Sequence, residues 1–225
     1  MTTLPATRAS LTGMDDPVTL VPLRAPGRGK TRMGAVLVPE QRAALAVAML
    51  GDVVAAIAAA GLGEVIVVAG GSAGAAAGAS YGLPVMLDPP GTRGLNAALA
   101  AATLRVGSDR DVLVVAADLP RLRAEDVVAV LDRDAEVVLA PTAAGGTGAL
   151  LRRPAGLMAT AYGPGSATAH HELATAAGCR VAVVDRDGLH HDVDTFSDLA
   201  GLHEVELGPR TAAVLPHLLG AARTG

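Results

Sequence analysis

Aromatic side chains are almost missing from this 225-residue chain, which has no tryptophan, two tyrosines (Tyr81 and Tyr162) and one phenylalanine, Phe196. Its interior must therefore pack Ala, Val and Leu, and base stacking on aromatic platforms is excluded as a general binding device. Cysteine is as scarce. Cys179 stands alone, which leaves no intramolecular disulfide and no cysteine-based zinc set, and the expected compartment is the reducing cytoplasm. A formal charge of -4 provides no overall basic face for a phosphate backbone, so nucleic acid is not an expected partner. The start of the chain lacks a long apolar run, and the Ala-rich stretches elsewhere are interrupted by Gly, Pro or charge, so no membrane partner is expected either.

Lysine is the last scarcity. Lys30 is the only lysine among 18 basic residues, and it sits in the loop Pro26-Gly27-Arg28-Gly29-Lys30-Thr31-Arg32, just after the apolar run Val18 to Leu23. Glycines let the backbone approach a ligand closely, and a compact ammonium between guanidinium groups suits a polyphosphate. A Walker A loop is excluded, because Gly29-Lys30-Thr31 would need glycine at position 24, where the chain has Arg24. There is no Gly-x-Ser-x-Gly elbow, and Cys179 after Gly178 reads as a core residue, so covalent catalysis has no candidate.

Half the residues are apolar. Short β-branched runs alternate with Ala/Leu-rich helical stretches, the pattern of a three-layer α/β sandwich with a mostly parallel central sheet. Strands are expected at 18–23, 64–69, 85–87, 111–116, 136–140 and 180–184, with helices at 39–60, 72–81, 95–104, 124–131 and 167–177. Pro39 and Glu40 mark the start of the first helix and Gly61 its end. Gly74 and Gly78 read as sites of close helix packing, and the residues after Asp198 as a pair of covering helices. Residues 1–16 read as a flexible tail and 17–225 as one domain.

The chemistry-bearing candidates fall at the ends of these elements. Asp118 follows the buried-strand pattern of residues 111–117, at the carboxyl end where open α/β sheets bind ligands; a turn or helix cap is its plain alternative. Asp192 and Asp194 flank Val193, and in an extended segment both face one way, so with Asp118 they offer three carboxylates to a hard cation, magnesium. A cap for a helix starting near Thr195 is the competing reading, and His190 and His191 make zinc the lesser alternative. Gly145-Gly146-Thr147 and Gly163-Pro164-Gly165-Ser166 offer backbone N–H groups and a hydroxyl to a second anion, or else are glycine turns with Ser166 as an N-cap. Asn96, in Gly91-Thr92-Arg93-Gly94-Leu95-Asn96, is placed either to read a base edge or to cap a helix.

Taken in order, these segments resemble one family, the guanylyltransferases that activate 2-phospholactate or phosphoenolpyruvate in the biosynthesis of the deazaflavin coenzyme F-420. The resemblance rests on Val21-Pro-Leu-Arg with Gly29-Lys-Thr-Arg-Met, on Met49-Leu50-x-Asp52-Val53, on Gly94-Leu-Asn-Ala-Ala-Leu99, on Ala117-Asp-Leu-Pro120, on Gly163-Pro-Gly-Ser166 with His170, and on Asp192-Val-Asp-Thr195. It implies a nucleotidyltransferase fold of the glycosyltransferase-A, Rossmann-like type. It implies GTP held by Pro22, Leu23, Gly29, Lys30, Gly94, Asn96 and Asp118, with Lys30, Arg32 and Asp118 catalytic, and magnesium on Asp118, Asp192 and Asp194. Thr147, Gly163 and Ser166 are implied contacts of a small phosphorylated carboxylic acid. The expected reaction moves GMP from GTP to that acid and releases pyrophosphate. It leaves room for a homodimer and for hand-off of a labile product to the next pathway enzyme. Two positions depart from the family: Arg24 replaces the usual early lysine, and Gly148 replaces the asparagine of Gly-Thr-Asn. The rival readings are a nucleotidyltransferase of the same fold with a sugar-phosphate or molybdopterin acceptor, and a GTP sensor without turnover.

Overall fold

A computed structural model describes residues 16–24, 33–34, 36–202 and 206–222. The basic loop with Gly29, Lys30 and Arg32, and the tail apart from Asp16, lie outside the described residues.

Seven strands, β1 (Val18–Leu23), β2 (Val65–Ala69), β3 (Val85–Leu87), β4 (Val112–Val115), β5 (Val137–Pro141), β6 (Thr147–Arg152) and β7 (Val181–Val183), form one sheet in the order β3-β2-β1-β4-β6-β5-β7. Every neighbouring pair is parallel except those of β6, which runs antiparallel to both β4 and β5. The helices that connect and cover the strands are α1 (Pro39–Ala59), α2 (Ser72–Ser80), α3 (Leu95–Val106), α4 (Ala124–Leu131), α5 (Ser166–Ala176), α6 (Asp187–His190), α7 (Phe196–Gly201) and α8 (Pro209–Ala222). The expected strands and helices are present with ends shifted by a residue or two, and β6 is an addition that the sequence reading lacked.

The period-2 alternation of the strands divides the interior into two layers. Val21, Val67, Leu113 and Val115 face α1 and α4, packing on Leu50, Val53, Ile57 and Val130. Leu20, Ile66, Val68 and Val114 point the other way, onto Ala98, Leu99 and Ala102 of α3 and Ala174 of α5. Small helix faces let the layers close with few aromatics: a Cβ on Gly78 of α2 would stand 2.9 Å from Val85 Cγ2, so glycine there lets the helix lie against β2 and β3.

α1 corrects one expectation. It runs unbroken through Gly51 and Asp52 for 21 residues and is long and apolar enough to cross a bilayer, yet half of its most apolar window is buried. A helix apolar on all sides is buried on several, and α1 shows why. Its Leu50, Val53 and Ile57 face the sheet, while Leu45 and Met49 join Leu215 and Leu218 of α8 in a third cluster.

The chain builds β1, β2 and β3 outward in one direction, then crosses back to place β4 on the other side of β1. That reversal opens a crevice between the carboxyl ends of β1 and β4, the usual ligand site of a doubly wound sheet. β6, running the other way, brings its amino end to the same edge: Val115 pairs with Ala149, and the Ala116 N–H donates to the Gly148 carbonyl.

Candidate active site

A cleft of about 580 Å³ lies along that edge, within the range of small-molecule sites. Of the expected site residues within the described segments, all but Asn96 line it: Pro22 and Leu23 from β1, Gly94 before α3, Asp118 after β4, Thr147 at the start of β6, Gly163 and Ser166 at the entry to α5, and Asp192 and Asp194.

Asp118 and the Asp192–Asp194 segment are joined through the backbone, with the Val193 N–H donating to the Asp118 carbonyl at 3.1 Å. Val193 is buried in the cluster beneath α1 and α8, and this anchor holds its two acidic neighbours at the cleft. Capping of α7 falls to other groups. The Thr195 hydroxyl accepts the Asp198 N–H, and the Asp198 carboxylate accepts the Thr195 N–H, a reciprocal capping box.

Burial raises the Asp192 carboxyl above the ordinary range, and repulsion from Asp118 and Asp194 adds to it. A buried acid raised further by two acidic neighbours is one whose charge a divalent cation would relieve. Among the described residues no three His, Cys, Asp or Glu side chains are gathered tightly enough to hold a metal ion by themselves. The expected three-carboxylate cage is therefore not formed, and the three acids stand as an open array along the cleft.

On the other side of Asp118, Thr147 begins β6 directly after the turn from β5, whose Gly145 has φ 78°. The Thr147 and Ser166 hydroxyls lie 3.0 Å apart and both are buried. Ser166 is the first residue of α5 rather than its cap, a place taken by left-handed Gly165, so its hydroxyl serves the cleft and Thr147. Behind them sits His170, fully buried, with Nδ1 3.0 Å from Thr147 Oγ1 and Nε2 accepting the Ala161 N–H at 2.8 Å. Burial pushes its pKa down to about 4, with the Arg152 guanidinium contributing. Arg152 of β6 is itself buried, bonded to the Ala155 and Met158 carbonyls and the Thr103 hydroxyl, with no carboxylate partner among the described residues.

Asn96, expected among the nucleotide contacts, does not line the cleft. Its carboxamide clamps the backbone of Tyr162, donating to the carbonyl at 2.9 Å and accepting the N–H at 2.7 Å, and so positions Gly163 instead of a base. Gly148 also gains a physical reason: a Cβ there would run into the Leu189 carbonyl of α6, leaving no room for the family's asparagine.

Among the lining residues not foreseen as site residues, three polar ones stand out. Arg42 of α1 donates to the Leu37 carbonyl at the cleft wall. Tyr162 packs edge-on against His170 at a centroid distance of 4.9 Å. Asp88 follows β3, and its Oδ1 is buried with no hydrogen-bond partner among the described residues. Burial raises the Asp88 carboxyl, and the Arg24 charge pulls it back. No spacing motif announces these three; only the fold brings them to the strand ends.

The fold is one shared with solved nucleotidyltransferase-like structures. It resembles a chain from Desulfovibrio desulfuricans G20 described as a nucleotide-diphospho-sugar transferase, with a TM-score of 0.73 at 18% identity, covering 93% of this chain and 98% of that one. A nucleotidyl transferase from Methanothermobacter gives a TM-score of 0.57 at 20% identity, covering 94% and 100%. Residues 18–208 match the family described as guanylyl transferase CofC-like, and the chain belongs to it. Among its relatives are phosphoenolpyruvate guanylyltransferases of Roseiflexus castenholzii, 34% identical over 81% of this chain and 86% of the relative, and of Nocardia farcinica, 37% identical over 87% and 89%. A 2-phospho-L-lactate guanylyltransferase of Halorubrum lacusprofundi is 41% identical over 78% and 79%. The sensor and sugar-phosphate alternatives are not favoured, since these relatives are named as guanylyltransferases.

Proposed function

We propose that the enzyme transfers GMP from GTP to a small phosphorylated carboxylic acid, phosphoenolpyruvate or 2-phospho-L-lactate, and releases pyrophosphate, as expected for coenzyme F-420 biosynthesis. The observation that carries this is the order of groups along one cleft: Asp88 at the β3 end, the acids after β4, and the Thr147–Ser166 hydroxyls beyond them. From β3 to β4 is three strand spacings, about 14 Å, room for a nucleoside triphosphate laid across the strand ends with its base toward Asp88. The Asp88 carboxylate, turned from its buried position toward the cleft that the residue lines, suits the adjacent N1–H and N2–H donors of guanine, whereas adenine would set an acceptor against it.

The acid's phosphate attacks the α-phosphorus of GTP. Because a phosphate dianion is already deprotonated, the chain needs no strong general base, and the imidazole beside Thr147, His170, is buried behind it. Asp118, Asp192 and Asp194 would hold magnesium, which when bound neutralises charge on the triphosphate and leaving group. Lys30 and Arg32 add cationic charge from the loop after β1, and Thr147, Gly163 and Ser166 hold the acid.

The test is pyrophosphate release by purified protein with GTP and magnesium, comparing phosphoenolpyruvate, 2-phospho-L-lactate and 3-phosphoglycerate, alone and coupled to the next pathway enzyme. Release that depends on one acid establishes the reaction and names the acceptor. Tight GTP binding with no release for any of them overturns it.

A further inference from the structure

Every hydrogen bond around His170 has a defined direction. The Ala161 N–H can only donate, so His170 Nε2 must present its lone pair. A neutral ring whose Nε2 is an acceptor carries its proton on Nδ1, and that proton points to Thr147 Oγ1, 3.0 Å away. Thr147, with one lone pair taken by the ring, has its own proton free to give to Ser166 Oγ, also 3.0 Å away, and the relay assigns it that direction. Ser166 accepts from Thr147, so its remaining hydroxyl proton is left for the cleft that both residues line. The first two amides of α5 do not compete for a ligand there: the Ser166 N–H donates to the Gly163 carbonyl and the Ala167 N–H to the Gly145 carbonyl. The donor that α5 presents at this point is the hydroxyl.

We propose that His170 is a positioning residue: through Thr147 it fixes the Ser166 hydroxyl as a hydrogen-bond donor to an anionic oxygen of the acid substrate. The tautomer required is the Nδ1–H form, held by one backbone amide of the segment before α5. A buried, neutral imidazole is the right device, because a protonated ring would place an N–H against the Ala161 N–H. Arg152 of β6, the buried cation on this side of the sheet, disfavours that protonation. The inference rests on the proposed reaction for the identity of the ligand, but the tautomer of His170 and its donation to Thr147 stand without it.

Two measurements test it. Nitrogen-15 NMR of the imidazole in the free protein should show Nδ1 protonated and Nε2 bare; an Nε2–H or doubly protonated ring at neutral pH overturns the relay, and this readout needs no turnover. His170→Phe leaves the Thr147 and Ser166 hydroxyls in place but cuts the relay, so KM for the acid should rise about tenfold while KM for GTP holds. His170→Asn, which retains a donor amide toward Thr147, should recover most of the acid affinity that His170→Phe loses. Equal acid KM values for wild type and His170→Phe, or equal losses for the Asn and Phe variants, would reduce His170 to packing.

Discussion

The carboxylate of Asp52, in the middle of α1, accepts the backbone N–H groups of Arg210 and Thr211 at 3.1 and 2.8 Å and so holds the start of α8 from 158 residues away. Asp52 is almost fully buried, with the Arg210 guanidinium 3.7 Å from Oδ1. It belongs to the Met49-Leu50-x-Asp52-Val53 motif, and its role is to fasten α8 to the core. Removing it strands two helix-terminal amides, so Asp52→Ala should lower stability by about 2 kcal/mol, and Asp52→Asn by less because one acceptor oxygen remains. Urea denaturation checks this. kcat should stay near wild type when assayed well below the unfolding midpoint.

Lys30→Ala should lower kcat by about 10²-fold or more, on the scale of losing one electrostatic stabiliser of a developing phosphate charge. With an unchanged circular dichroism spectrum, near-normal turnover removes Lys30 from the mechanism.

For the acid array, stability and activity should move in opposite directions. Asp192→Asn relieves the repulsion from Asp118 and Asp194, so the metal-free protein should show a higher urea midpoint while turnover falls. Asp118→Asn should raise the magnesium concentration needed for half-maximal activity about tenfold or more. Unchanged magnesium dependence in both variants would take the array out of metal binding.

Asp88→Asn replaces an acceptor-only carboxylate by a group that both donates and accepts. The ratio of kcat/KM for GTP to that for ATP should fall at least about tenfold, chiefly through KM for GTP. A preserved ratio with lower activity on both nucleotides would mean that Asp88 does not read the base.

His170 makes the fold sensitive to acid. Its pKa near 4 in the folded protein lies below the unfolded value of about 6.5, so the unfolded chain takes up the proton first as pH falls. The full contribution is therefore present above about pH 6.5 and is lost on descending toward 4, on the order of 3 kcal/mol over the whole window. The charged and titratable groups facing the ring are Arg152 from β6 and Tyr162 ahead of α5. Denaturation at pH 7.5 and pH 5 should show the stability gap between wild type and His170→Asn shrinking at the lower pH. A constant gap would place the pKa near its ordinary value.

Strands with long β-branched runs and helices with marked ends were legible in the sequence because local pattern and final environment agree there. β6 was not, since Thr147–Arg152 starts directly after two glycines, contains Gly148, and ends on a charged residue that the fold buries. The helix over 39–60 was legible, but its membrane-spanning length and apolarity were not expected, and Gly51 and Asp52 lie inside it because one sits against Tyr81 and the other is satisfied by α8. At the site, residues that end a strand or open a helix could be named from spacing alone. Asp88, Arg42 and Tyr162 could not, because their relevance arises only where the strand order brings them side by side. Asn96 shows the converse, a motif residue whose carboxamide turns to the backbone of Tyr162.

The reversed direction of β6 separates two inheritances within one cleft. Pro22, Leu23 and Asp88 follow from the parallel strands β1 to β3, whereas Thr147 depends on a short hairpin between β5 and β6. A change of turn length or of one hairpin residue can reshape the acid end while the nucleotide end keeps its frame. If the acid sits where proposed, a change of acceptor needs only mutations local to that hairpin and the entry to α5.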